Sequence, residues 1–413
     1  MKINHIESFI VRAPIDSNKV YWGAGYWMSD PKQHPGLPEG HPGDITTEYP
    51  PIWRLRPIYT RDLACVVVRI ETDTGLVGWG EAHTPVAPEA AKAAIDALLA
   101  GIVLGRDPLD IQPIWENMYS SMRMRGHSTG FLLEAISGVD IALWDLAGRA
   151  LGVPISTLLG GRARERIPVY ASSLPRVHAR AGEAGYQGLA DLARSLVEQG
   201  YRAFKVKLGI DIEQDRHSLR VLRKAVGPDV RICVDVNGAY DLAQARLAGR
   251  MMEEEGAYWL EEPLMPENWR GYADLAASLQ IRVVAGECLF NRWQFNDYFV
   301  AGAVDAINPD VGRAGGISEC KRISDLADTY GIPFSPHISI GSAIYMAASL
   351  QWAAAGSNLN MCEWPMDVSA IGNGILKRPF QFQGGAILLD ETPGLGIDID
   401  EDKLRRWQVR ATS

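Results

Sequence analysis

From about residue 131 onward the chain alternates between short β-branched or aromatic runs and stretches whose apolar residues recur at helical spacing. FLLEAISGVDIALWDLAGRALG sets Leu132, Ile136, Val139, Leu143 and Leu146 on one helical stripe. IPVYASS follows, then a predicted helix through Leu189, Leu192 and Leu196 that Gly200 stops. FKVKL precedes a helix through Leu219 and Leu222. The next helix opens on Asp241 as its N-cap and ends at Gly256, and a later one runs from Ser318 through Ile323 and Leu326 to Gly331. Each glycine stop is followed within three residues by the next apolar run. Alternating strand and helix at this length implies a parallel sheet. IPVYASS, FKVKL, RICVDVN, YWLEEP, VVAGE, AINPDV, PFSPH and NMCEWP make eight strands, enough to close a barrel.

Residues 1–130 read differently. INHIESFIV and LACVVVRIET are strand-like and flank a segment from about residue 20 to 61 that is rich in Gly, Pro, Tyr, Trp and His and has no helical period. A connection this long is a lid or a linker, and the aromatics Tyr21, Trp22, Tyr26, Trp27 and Trp53 predict the ordered lid. In such a lid Trp22, Tyr26 and Trp53 would wall a substrate, while Arg54, Arg56 or Arg61 would pair with its hydroxyl-rich or second anionic end. ETDTGLVGWGEA predicts a turn at Asp73–Gly75, and PEAAKAAIDALLAGI a helix. FQGGAILLD and PGLGIDID look β-like. The expected organisation is a first α+β module over 1–130, a barrel over 131–380, and a segment over 381–413 that packs back on the first module.

Six acid or imidazole residues fall at the ends of successive strand runs: Asp235, Glu261, Glu287, Asp310, His337 and Glu363, at intervals of 26, 26, 23, 27 and 26 residues. Strand C-terminal ends in a (β/α) barrel share one mouth, so this ladder reads as an active site. Asp235, Glu261 and Glu287 are hard oxygen ligands without Cys or His, which selects Mg²⁺ or Mn²⁺ over zinc. The competing reading makes each a cap for the following helix. Glu262, beside Glu261, should point to the opposite face by strand alternation. Lys205 and Lys207 stand two apart and face one side, so like-charge repulsion should lower a lysine pKa toward that of a usable base. Asp310 and His337 end neighbouring strands, where a carboxylate would fix the imidazole tautomer and raise its pKa. Glu363, if kept protonated, would donate to a developing oxyanion. The GRAGG run after Asp310 lacks the partners of a phosphate cradle and reads as a βα turn.

Composition narrows the partners. The 413 residues are 47% hydrophobic and 22% charged, with a net charge of −9, which argues against nucleic acid and anionic membranes. Five cysteines without a CxxC pair suit buried thiols in a reducing cytoplasm. Glu7 and Arg12 interrupt the N-terminal apolar stretch as a signal peptide would not, and no uninterrupted apolar run reaches membrane-spanning length.

As a set, KVK at 205–207, DVN at 235–237, EEP at 261–263, GE at 286–287, PDVGRAGG at 309–316, His337 and Glu363 resemble the enolase superfamily, mandelate racemase subgroup. SGVDIALWDLAGRALGVP resembles that family's entry into its barrel, and the likeness spans nearly the whole chain apart from the long 20–61 segment. The resemblance implies an α/β fold, a modified (β/α)7β TIM barrel under an N-terminal α+β capping domain. It implies Mg²⁺ on Asp235, Glu261 and Glu287 binding a small-molecule carboxylate substrate, with Asn237 of the DVN motif among the substrate contacts. Lys207 would move the α-proton on one face and His337, oriented by Asp310, on the other. Lys205 would lower the Lys207 pKa and help neutralise an ene-diolate. A β-hydroxyl on the substrate makes the outcome dehydration of an acid sugar to a 2-keto-3-deoxy acid, the expected activity. Without one the enzyme is a racemase or epimerase. A metal-binding protein without turnover is disfavoured by the complete proton-transfer set. A homo-oligomer is expected.

Overall fold

The computed structural model of the chain describes residues 1–14, 62–177, 182–209, 211–339, 341–366 and 370–409. β1 (Ile3–Pro14) pairs antiparallel with β2 (Asp62–Thr72), which pairs antiparallel with β3 (Val77–Ala82). The β2–β3 turn lies where predicted, with Gly75 at φ +80° and its N–H donating to Thr72 O at 2.9 Å. The period of two along β2 splits its side chains between two cores. Cys65 and Val67 join the large cluster shared with the barrel. Val66, Val68 and Ile70 pack with Ile95, Trp115, Leu133 and Ile136 from the helices that follow. The predicted helix PEAAKAAIDALLAGI forms as Pro88–Ala94, a π-helical turn Ile95–Leu99 and a last turn Ala100–Val103. Phe131–Leu151 is a single buried helix ending on Gly152 in the left-handed conformation.

The barrel strands are β4 (Arg166–Leu174), β5 (Ala203–Lys207), β6 (Arg231–Asp235), β7 (Trp259–Glu261), β8 (Arg282–Ala285), β9 (Ala306–Ile307) and β10 (Cys362–Pro365). All neighbours from β4 to β9 pair in parallel, and β10 pairs in parallel with β4. The predicted strand PFSPH shrinks to one residue, Phe334, bridging Ile307 on one side and Leu359 on the other. Pro333 and Pro336 have no N–H to give a ladder, so only the intervening backbone pairs. The wall is still continuous there: Ile307 N donates to Pro333 O at 3.0 Å and Phe334 N to Asn358 O at 3.1 Å. The helices Gly182–Glu198, Ile212–Val226, Leu242–Glu254, Trp269–Ala276, Arg292–Ala301, Gly316–Thr329 and Ala343–Ala355 fill the intervals. The result is a (β/α)7β barrel joined to an N-terminal α+β module, the fold class the sequence implied.

Two local expectations change. The helix expected from Ser318 begins at Gly316, because the Ser318 N–H and hydroxyl donate instead to Asp140 on the Phe131–Leu151 helix, at 2.9 and 2.5 Å. The β-like tail divides. β11 (Gln381–Gln383) and β12 (Ala386–Leu388) form a hairpin whose second strand pairs antiparallel with the start of β4. Further on, Val409 N donates to Ile10 O at 2.8 Å and Arg405 Nη2 pairs with Glu7 at 2.8 Å, fastening the chain's end to β1. No helix among the described residues is long and apolar enough to cross a membrane.

Inside the barrel the period of two stacks one chemical layer on another. Tyr170, Ala203, Cys233, Trp259, Val284, Ala306 and Met361 form a closed apolar plug. Two residues further along their strands come Ser172, Lys205, Asp235, Glu261, Asn308 and Glu363. The polar layer thus rests on an apolar floor, whose low polarity strengthens the charge interactions above it.

Candidate active site

Asp235, Glu261 and Glu287 converge. One carboxylate oxygen from each lies within 4.8 Å of the others, and the residues are 0%, 0% and 7% exposed. Register explains the meeting, since Asp235 is the ladder partner of both Lys207 and Glu261. The capping alternative fails because other side chains do that work. Asp241 caps Leu242–Glu254 in a capping box with Gln244, Asn268 caps Trp269–Ala276, and Asn291 caps Arg292–Ala301. Trp259 Nε1 and Asn308 Nδ2 donate to the two oxygens of Glu261 at 3.0 and 2.9 Å, and the Asn237 N–H donates to Asp235 Oδ1 at 2.9 Å. Among the described residues, none donates a hydrogen bond to the buried Glu287 Oε2.

These residues fit a divalent cation. Asp235, Glu261, Glu287, Asp310 and Glu363 bring five carboxylates together, against the cationic groups of Lys205, Lys207 and His337. Counted over these eight groups with every carboxylate ionised, negative charge exceeds positive by two, an excess a divalent cation would offset, and without such an offset a buried carboxylate tends to take up a proton. Accordingly burial pushes Glu261 up to about 8, its proximity to Asp235 adding to the rise against the pull of Lys205. An all-oxygen donor set suits a hard cation.

Lys205 is fully enclosed, with Nζ 2.8 Å from Glu261 Oε1, 2.8 Å from Glu363 Oε1 and 3.4 Å from Asp235 Oδ2. Lys207, at the open end of β5, donates to Asp235 Oδ2 and to Asn237 Oδ1, the latter at 2.9 Å. The expected lowering of a lysine pKa does not hold in this arrangement. Burial alone would lower both ammonium groups, but carboxylates outweigh it. Glu261 and Glu363 hold Lys205 well above its ordinary value, and Asp235 raises Lys207 although Lys205 opposes it.

His337 Nδ1 lies 2.7 Å from Asp310 Oδ2, the pairing the sequence predicts. Its Nε2 faces Glu287 Oε2 at 3.2 Å and Glu363 Oε2 at 3.9 Å. Burial would lower the imidazole, yet Glu287, Glu363 and Asp310 together raise it to about 9. Asp310 is pushed up by burial and pulled back to about 2 by the His337 hydrogen bond and neighbouring positive charge. Glu363 departs from expectation. Burial favours its protonated form, but Lys205 and His337 hold it below its ordinary value, and it accepts from Ser172 Oγ and from Ile338 N at 3.1 Å. It is a carboxylate, not a proton-holding acid.

Glu262 also corrects the alternation argument. Its backbone turns left-handed, φ +45°, so the strand period stops at Glu261, and its carboxylate joins Glu287 and Cys288 within 4.8 Å. Asn237 shares that conformation, φ +45°, and donates from Nδ2 toward Glu262 Oε2 and Glu287 Oε1, both at 3.5 Å. Non-glycine residues in this region concentrate at functional sites. Trp22, Tyr26, Trp53, Arg54, Arg56 and Arg61, with the 20–61 segment, lie outside the described residues.

Several neighbours escaped the sequence reading. Asn308 holds Glu261 as described. Arg313, inside the GRAGG turn, donates to Glu287 O and to Glu134 Oε1, both at 3.1 Å. Tyr345 donates to Asp310 Oδ2 at 2.7 Å, and His83 from the N-terminal module stacks on Tyr345. Burial lowers His83 to about 4, so it is a neutral ring at ordinary pH. Only the place of Asn308 and Arg313 inside the PDVGRAGG neighbourhood offered a signal.

Residues 188–403 match the enolase C-terminal domain-like family, and residues 48–160 match the mandelate racemase / muconate lactonizing enzyme N-terminal domain. D-galactarolactone cycloisomerase of Agrobacterium fabrum is 35% identical over 357 residues, 84% of this chain and 92% of the relative. D-galactonate dehydratase of Xanthomonas oryzae pv. oryzae is 34% identical over 355 residues, 82% of this chain and 90% of the relative. The crystal structure of 3,6-anhydro-D-galactonate cycloisomerase from Zobellia galactanivorans superposes with a TM-score of 0.81 at 29% identity, covering 99% of this chain and 100% of that one.

Proposed function

The chain belongs to the enolase superfamily, mandelate racemase subgroup, and from that premise we propose that it removes the α-proton of an acid sugar and expels the β-oxygen, giving a 2-keto-3-deoxy acid. The observation that carries this reading is the pairing of two proton carriers with one carboxylate cluster. Lys207 reaches it through Asp235 and His337 through Glu287, from different strands of the mouth. A Mg²⁺ ion on Asp235, Glu261 and Glu287 would supply Lewis acidity at the substrate carboxylate and the positive charge that lowers the Lys207 pKa.

The chain's own groups divide the remaining work. Lys207 Nζ takes the α-proton, and the C–H electron pair delocalises into the carboxylate as an ene-diolate. Lys205, locked between Glu261 and Glu363, keeps a fixed positive charge beside that developing anion. With Nδ1 committed to Asp310, His337 has Nε2 as its exchanging atom, and at about 9 its imidazolium form prevails at neutral pH. It gives that proton to the β-hydroxyl as the C–O bond breaks and the ene-diolate electrons form the C=C bond. Water leaves, and the enol tautomerises to the 2-keto acid. Asn237, between Lys207, Glu262 and Glu287, would accept from or donate to a substrate hydroxyl.

A second reading keeps the same proton transfer and changes the leaving group. Where the β-oxygen belongs to a ring, elimination opens the ring and the product is an isomer of the substrate. The two cycloisomerases among the similar proteins favour it. A substrate with no β-leaving group would be racemised instead. A panel of mono- and di-acid sugars, their lactones and anhydro forms, assayed with Mg²⁺ for 2-keto acid, tests the proposal. At least one should give a 2-keto-3-deoxy product. A panel yielding only epimers would replace elimination by racemisation.

A further inference from the structure

Asp310 is gripped from a side the proton-transfer scheme does not use. Its Oδ1 accepts from Gly312 N at 2.8 Å, and its Oδ2, already facing His337 Nδ1, also accepts from the Tyr345 hydroxyl at 2.7 Å. Three donors define the carboxylate plane, and that plane defines the plane of the imidazole bonded to it. Among the described residues, Oδ2 without the phenol keeps only the partner it is meant to orient.

Tyr345 is itself fixed by the N-terminal sheet. Its ring is fully buried and stacks on His83, which follows β3, with centroids 4.9 Å apart and planes 9° from parallel. The His83 N–H donates to Gly312 O at 3.0 Å, tying β3 to the turn after Asp310. Two residues earlier, Glu81 accepts from the Ser342 N–H at 3.1 Å and from the Ser342 hydroxyl. Ser342 is the N-cap of the Ala343–Ala355 helix that carries Tyr345, accepting from Ile344 N at 3.2 Å. The sequence clears space for this contact. A Cβ at Gly341 would sit 2.3 Å from Tyr345 Cδ1 and 2.8 Å from Glu81 Oε1, and one at Gly312 would sit 2.6 Å from His83 Cβ. None of these three distances is tolerable between packed atoms.

We propose that Tyr345 is a positioning residue for the Asp310–His337 pair, aligned by His83 and Glu81. Docking of the N-terminal sheet on the barrel and orientation of the proton-transfer imidazole are then one event. The inference rests on the acid/base role proposed for His337, so its test includes a readout that needs no turnover.

Tyr345→Phe keeps the stacked ring and removes one donor. The downfield proton resonance of the His337 Nδ1–H, assigned by its loss in His337→Asn, should move or broaden in this variant. With an active substrate, kcat should fall roughly 10- to 100-fold, the usual effect of losing a hydrogen bond to a charged group, with KM within about twofold. His83→Ala should move the same resonance in the same sense and lower kcat less. An unmoved resonance and unchanged kcat in folded Tyr345→Phe would overturn the proposal, as would a kcat loss that merely tracks loss of folded protein. Should Tyr345→Phe not fold, 3-fluorotyrosine at 345 strengthens the donor without changing its reach, and a resonance that stays put would likewise refute the role. If no acid sugar is turned over, the functional reading fails while the resonance still decides this one.

Discussion

His337 Nε2 and Glu287 Oε2 stand 3.2 Å apart, so the imidazole proposed to move protons and the carboxylate proposed to hold a cation meet in one electrostatic unit. Each shapes the other: His337 is the largest of the charges drawing Glu287 down to about 2 against burial, and Glu287 is the largest of those raising His337. In the proposed reaction, the cation held by Glu287 and the proton carried by His337 would act on one substrate.

The cation proposed on Asp235, Glu261 and Glu287, whose carboxylate oxygens lie within 4.8 Å of one another, predicts metal dependence. Dialysis against EDTA should abolish turnover, and Mg²⁺ or Mn²⁺ should restore it. Calorimetric titration of the metal-free protein should find one site per chain, and Glu261→Gln should weaken it by at least about tenfold, a loss of roughly 1.4 kcal/mol. Full activity in metal-free protein would remove the basis for the mechanism.

Lys207 and His337 should separate into two half-reactions. Lys207→Ala should lose dehydration by roughly 10²–10⁴-fold, the usual range for a positioned acid or base. His337→Asn should lose dehydration comparably while Lys207 still exchanges the substrate α-proton with solvent deuterium. Circular dichroism should show both variants folded, since neither side chain belongs to the apolar core. Normal dehydration by His337→Asn would make the Asp310 pairing structural.

Glu81 gives a pH signature in stability. Burial raises its carboxyl from 4.5 to about 7, against the donors from Ser342. The folded state therefore binds this proton more tightly than the unfolded chain does. Its stabilising share is complete below about pH 4.5 and is lost as pH rises through about 7. Glu81→Gln cannot ionise, so its Tm should match the wild type at pH 4.5 and exceed it above pH 7, by up to a few kcal/mol in stability. A Tm difference that is constant across that window would show that Glu81 does not titrate there.

The strand-end ladder was legible because a βα repeat of nearly constant length puts Asp235, Glu261, Glu287, Asp310, His337 and Glu363 at a regular interval, and the barrel turns that interval into proximity. The weakness of the seventh strand was not, since Pro333 and Pro336 leave its pairing to Phe334 alone, with one bridge on each side. Glu81, His83 and Tyr345 were invisible for another reason. They come from different modules, at separations set by docking rather than by any period. The lowering expected for a lysine weighed only its neighbour along β5, whereas the deciding charge on Lys207 is Asp235 on the adjacent β6; the proton that the oxyanion role of Glu363 needs is opposed by Lys205 and His337, from other strands. The left-handed turn at Glu262 likewise ends an alternation that no residue pattern shows stopping there.

Removal of an α-proton with elimination of a β-oxygen can be followed by proton NMR of an active acid sugar incubated with enzyme and Mg²⁺ in D2O. The α-proton signal should disappear together with formation of a 2-keto-3-deoxy product carrying one deuterium at C3, and that product should be lost in Lys207→Ala and in His337→Asn. Product formed with the substrate α-proton retained, or formed equally by either variant, would contradict this elimination.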